Sequence, residues 1–162
     1  MGKCYNFFFD STLNSGGANN SRRLYATNWS SVLPSDKEFR VTFAFCSESD
    51  IASPIPFNTI PVIRTNLGQS SSFANLTTNS SSFSTLNALG FAKIALIASN
   101  NITATVDENY LLAEHTTNPP TYLKSRPQNS LLEVEIHIGL TGTNYIDVPD
   151  YILILHFEEC DD

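Results

Sequence analysis

Glu133, Glu135 and His137 occupy alternate positions of one apolar-rich run near the C-terminal end of the chain, and His156 falls in the next such run. On a β-strand that spacing sets the first three side chains on one face. Carboxylate and imidazole donors gathered from neighbouring strands are the makings of a divalent metal centre with an open coordination position. If the two runs pair symmetrically about the connection between them, Glu133 lies opposite His156. A polar, solvated outer face with a cross-strand Glu–His pair accounts for the same four residues. That is the expectation here, with no metal and no other cofactor, because donors on an exposed strand without supporting hydrogen bonds hold an ion weakly.

The rest of the chain offers less chemistry. Nucleophilic catalysis needs an activated Ser or Cys beside a base, and the sequence has no Gly-x-Ser-x-Gly elbow and no phosphate- or dinucleotide-binding glycine pattern. Asp147, Asp150, Asp161 and Asp162 lack the spacing of a calcium loop. Cys4, Cys46 and Cys160 stand far apart, and their odd number leaves at least one free thiol. The chain is expected not to be an enzyme, and its thiols to be reduced.

The elements that position these residues read as strands. Glu38–Cys46 alternates Phe39, Val41, Phe43 and Phe45 with smaller or polar side chains, which marks one buried face. Leu132, Val134, Ile136 and Ile138 alternate around the two Glu and His137, whereas Tyr151–Phe157 is apolar on both faces and predicts a strand in mid-sheet. Gly139–Asp150 predicts a long loop across which these last two strands pair antiparallel. Weaker strand signals cover Cys4–Phe9, Leu24–Trp29, Thr59–Arg64, Phe73–Thr77, Phe91–Ala98 and Ile102–Val106, with a hairpin turn at Ser99–Asn101 and at most a helical turn near Asp107–Glu114. The expected fold is all-β: an antiparallel two-sheet sandwich of single jelly-roll type with little or no helix, one domain over 1–162. Its core should hold Phe39, Val41, Phe43, Phe45, Val134, Ile136, Leu153 and Leu155.

Charged residues make up only 15 % of the 162, below the roughly 25 % of ordinary soluble domains. Instead 19 Ser, 16 Asn and 15 Thr supply the polar surface; these types disfavour helix interiors and favour turns. The net charge of −7 and the single adjacent basic pair, Arg22-Arg23, argue against direct contact with nucleic acid. No apolar run approaches the roughly 20 residues of a membrane span, and the first nine residues are too short for a signal segment, so a soluble, unsecreted protein is expected.

Two segments suit contacts with a neighbour. Three adjacent rings, Phe7, Phe8 and Phe9, put at least one on each face of a docked N-terminal strand, and the ring on the less buried face needs a partner. The Ser-rich stretch 69–87, carrying Phe73 and Phe83, reads as an exposed connection able to order against another chain. Segments 1–10 and 69–87 are therefore candidate interface extensions of the single domain.

The stretches Asn118-Pro119-Pro120-Thr121-Tyr122, Arg126-Pro127-Gln128-Asn129, Leu132–Ile138 and Asp150–Glu158, with Ser84–Phe91 upstream, resemble small jelly-roll virion proteins of large double-stranded DNA viruses. The resemblance implies a structural minor capsid protein of an icosahedral virion, assembled in the host cytoplasm or nucleus. It also implies its partners: the major capsid protein, other capsid subunits and copies of itself. Two readings from other classes stand beside it. One is a carbohydrate- or receptor-binding β-sandwich of a virion. The other is a cupin-like metal-dependent enzyme built on Glu133, Glu135, His137 and His156, although the His-x-His motif of cupins is missing.

Overall fold

A computed structural model of the chain describes residues 2–13, 16–19, 22–47, 61–67, 87–97, 108–138, 148 and 150–160. The front sheet contains β1 (Cys4–Asp10), β4 (Phe39–Ser47), β7 (Lys93–Ile97), β8 (Glu108–Ala113), β9 (Thr121–Leu123) and β11 (Tyr151–Glu159). Its order is β1-β11-β4-β8-β7, and β9 pairs with the other end of β4 beside β8. The back sheet contains β2 (Gly16–Asn19), β3 (Arg22–Ala26), β5 (Pro61–Thr65), β6 (Asn87–Phe91) and β10 (Leu131–Ile138), in the order β2-β3-β10-β5-β6. Every pairing is antiparallel. The two sheets pack as a sandwich.

Alternation builds the core. Phe39, Val41, Phe43 and Phe45 of β4 and Leu153, Leu155 and Phe157 of β11 point inward from the front sheet, and Leu132, Val134 and Ile136 of β10 meet them from the back, all at most 2 % exposed. All eight side chains expected in the core are among them. Phe157 sits in an aromatic cluster, its ring centre 5.3 Å from Phe7, 5.5 Å from Trp29 and 5.8 Å from Phe39, distances at which tilted and edge-to-face rings attract. One polar contact joins the sheets inside this core: the hydroxyls of Tyr25 and Tyr151 lie 2.9 Å apart. Burial raises the pKa of both phenols, so both stay neutral and able to share that hydrogen bond.

The last two long strands do not pair with each other. β11 lies between β1 and β4, in mid-sheet as its two-sided apolar pattern predicts, while β10 lies between β3 and β5 in the opposite sheet. Each carries a full inward row of large aliphatic or aromatic side chains, and two such rows bury one another face to face across a sandwich. Glu133 therefore never stands opposite His156.

Three smaller expectations also shift. The strand foreseen to reach Trp29 stops at Ala26, and Trp29 opens a single helical turn, α1 (Trp29–Val32), which buries Trp29 and Leu33. Arg126 holds the exit of that turn by donating from Nη1 to the carbonyls of Ser30 (3.3 Å) and Leu33 (3.0 Å). Residues 108–113 form β8 rather than a helical turn, and β8 pairs antiparallel with β7; the turn expected at 99–101 lies outside the described residues. At the far edge of the back sheet Gly90 lies so close to Phe43 that a Cβ there would come within 2.8 Å of its ring. The Asn118 amide completes that edge, accepting from Phe91 N and donating to Phe91 O, each at 2.9 Å. The strand signals at 73–77 and 102–106 lie outside the described residues.

Candidate functional site

Glu133, Glu135 and His137 share the outward face of β10, as their spacing predicts, but the face is not solvated. Glu135 is 4 % and His137 1 % exposed. His137 Nε2 donates to Glu135 Oε2 at 2.7 Å, the geometry of a strong charge-assisted hydrogen bond. Glu135 stands in register between Arg22 of β3 and Arg64 of β5, and its Oε1 lies 3.5 Å from Arg22 Nε. Arg22 also reaches Glu133 Oε1 through Nη2 at 2.9 Å and Nε at 3.1 Å. Burial lowers the pKa of the Arg64 guanidinium, and the Glu135 carboxylate pulls it back up. A row of mutually compensated charges results, since a buried ionisable group is tolerated when paired. Both carboxylates already serve guanidinium or imidazole donors. The expectation of an exposed pair fails because the strand pattern marks the outward face without saying whether that face is covered.

His156 belongs to the other sheet, on the outward face of β11 within a cross-strand row of Asn6, His156 and Thr42. Its Nδ1 lies 2.7 Å from Asn6 Oδ1, and since an amide oxygen only accepts, Nδ1 carries the proton. Thr42 Oγ1 contacts His115 Nδ1 at 3.4 Å. Burial, and after it the neighbouring His156, lower the pKa of His115. Thus the four metal candidates separate into a buried Glu135–His137 pair beside Glu133 on the back and His156 on the front. His115, which no motif singled out, joins His156. Among the described residues no three His, Cys, Asp or Glu side chains form a group able to hold a metal.

The Phe triplet lies in β1, whose partner along its whole length is β11. Phe9 is buried against Tyr25 and Trp29, and Phe7 packs between Trp29 and Phe157. Phe8 points away from the core and is 69 % exposed. Among the described residues β1 is the end strand of its sheet, so its outer backbone edge faces away from β11. Beside it a groove of about 830 Å³ opens between β1 and β3. Four exposed large apolar side chains border it: Phe8, Leu13 (85 % exposed), Leu131 (47 %) and Ile152 (46 %). Leu131 and Ile152 begin or nearly begin long strands in outward register, a position that alternation identifies but that sequence reasoning passed over. Phe73 and Phe83 lie outside the described residues.

A second hollow, of about 410 Å³, lies beside Tyr122 and the Arg126-Pro127-Gln128-Asn129 segment. Its charged and amide groups mostly serve the fold. Arg126 holds α1, Asn66 bridges Leu131 O and Glu133 N, and Lys124 pairs with Glu38. Ser11 accepts from Tyr151 N and donates to Asp150, which ties the residue after β1 to the start of β11. No imidazole stands in that contact. No family model, no curated protein and no solved structure matches this chain.

Proposed function

We propose that this chain is a structural subunit, a minor capsid protein of an icosahedral virion, which binds the major capsid protein and neighbouring subunits along its β1 edge. The observation that carries the reading is the cluster of Phe8, Leu13, Leu131 and Ile152, exposed together beside an end strand. Scattered apolar residues on a surface mean little, but a contiguous group rimming a groove is a contact surface. An end strand adds a row of backbone donors and acceptors that an incoming extended segment satisfies. The low content of charged residues, 15 %, supports the same reading, because interface cores are depleted in charged side chains.

Strand order supports the finer description of the sandwich as a jelly roll. Setting aside the short β9 and the outlying hairpin partners β2 and β7 leaves β1, β3, β4, β5, β6, β8, β10 and β11. In chain order the first, eighth, third and sixth of these lie in the front sheet, and the second, seventh, fourth and fifth in the back. A jelly roll winds its eight strands in that alternation. The virion location rests on the sequence resemblance.

Removing the N-terminal segment is a blunt test, since it also takes Phe7 and Phe9 from the core. Phe8→Lys removes only the outward ring. Wild-type chain should be recovered from gradient-purified particles at a fixed copy number per capsomer, and Phe8→Lys, folded by circular dichroism, should be lost from them. Equal incorporation of the variant, or absence of the wild-type chain from particles, overturns the proposal.

A further inference from the structure

The geometry points to a two-histidine site for a divalent late first-row transition ion, such as zinc, on the outer face of the front sheet, formed by His115 and His156. Their ring centres are 5.7 Å apart and their planes cross at 68°. An ion held about 2.1 Å from each Nε2 sits about 3.2 Å from each ring centre, so two imidazoles around a tetrahedral ion have centres about 5.2 Å apart. The observed spacing is about half an ångström wider, and rotation of the two surface rings about their side-chain bonds turns Nε2 of each toward a shared ion.

Hydrogen bonding favours the same nitrogens. Metal-bound imidazoles commonly engage their second ring nitrogen with a neighbouring oxygen, which fixes the tautomer and orients the ring. Both rings here have that partner on Nδ1: Asn6 Oδ1 for His156 and Thr42 Oγ1 for His115. Asn6 accepts, so neutral His156 keeps the lone pair on Nε2. Thr42 accepts equally well from a protonated Nδ1, which frees Nε2 of His115. The supports come from two strands in register on either side of β11, Asn6 from β1 and Thr42 from β4, and Thr42 is itself buried. Imidazole nitrogen selects zinc, copper or nickel over calcium or magnesium, which prefer oxygen. No third His, Cys, Asp or Glu joins the pair among the described residues, so water completes the coordination.

The chain's three histidines make the test internal. Zinc is titrated into the intact protein while the His ring signals are followed by nuclear magnetic resonance and the heat by calorimetry. The His115 and His156 rings should shift together and saturate at one ion per chain, with His137, buried against Glu135 on the other sheet, unmoved. His115→Asn and His156→Asn should each weaken binding at least tenfold, and Thr42→Val should weaken it less while leaving the metal-free melting curve near wild type. Saturable binding that survives both His substitutions would place the ion elsewhere on the chain and overturn the proposal. So would rings that stay unmoved up to millimolar zinc.

Discussion

The outward faces of β10 and β11 invert the usual rule. On β10 the outward Glu135 and His137 are polar and titratable, yet buried; on β11 the outward Ile152 is apolar, yet 46 % exposed. Inward, the two strands are alike, with Leu132, Val134 and Ile136 on one and Leu153, Leu155 and Phe157 on the other. The contrast separates two questions that hydrophobic patterning merges: which face joins the core, and whether the other face meets water. A covered polar face is stable when its charges and hydrogen-bonding groups are paired, as the Glu135 carboxylate is with Arg22 and with the His137 ring. An uncovered apolar face has no such internal remedy. Under the proposed function its cover is another molecule, and the β1 edge is the working surface.

The inward rows set the scale for everything else. Phe157→Ala removes the ring that touches Phe7, Trp29 and Phe39 and should destabilise the protein by about 3–5 kcal/mol in urea unfolding. A cost below about 1 kcal/mol would mean that the sheets are not packed through this cluster. The outward face of β10 comes next. Glu135→Ala takes the acceptor from His137 and one carboxylate from Arg22, and the expected cost is about 3 kcal/mol, toward the low end for breaking a buried ion pair from one side. A change within about 0.5 kcal/mol would show the face to be wet and would erase the contrast with β11.

Alternation at Phe39–Phe45 and at Leu132–Ile138 made the all-β class and the core legible from the sequence, and in the Phe triplet it showed that the rings divide between two faces without saying which one is exposed. It left the partner of each strand open. β10 and β11 follow one another along the chain, so antiparallel pairing across the loop between them is the local reading, and only face-to-face burial of their inward rows sends them to opposite sheets. The cover over Glu135 and His137 was invisible for the same reason: it is a tertiary fact with no local signal. The contact between His115 and His156 needs the β8–β9 turn to fold over β4, which brings together residues 41 positions apart that no short motif links.

The smallest expected effect discriminates best between a working surface and a merely loose edge. Phe8 and Phe9 are chemically identical neighbours on one strand, and the period of two gives them opposite environments, 69 % and 6 % exposed. Phe8→Thr introduces a β-branched side chain suited to a strand and exposes no new cavity, so its unfolding free energy should stay within about 0.5 kcal/mol of wild type. Phe9→Ala empties a site packed by Tyr25 and Trp29 and should cost about 3 kcal/mol. Urea unfolding of the two variants at one protein concentration checks both values, and repeating the Phe8→Thr measurement across a tenfold concentration range adds a second readout. If chains already associate through β1, wild-type stability rises with concentration while that of Phe8→Thr stays flat, because only the associated state gains by mass action. A loss above about 1.5 kcal/mol at Phe8 under dilute conditions would instead mean that its ring is held within its own chain, and the β1 edge would no longer differ in kind from the covered face of β10.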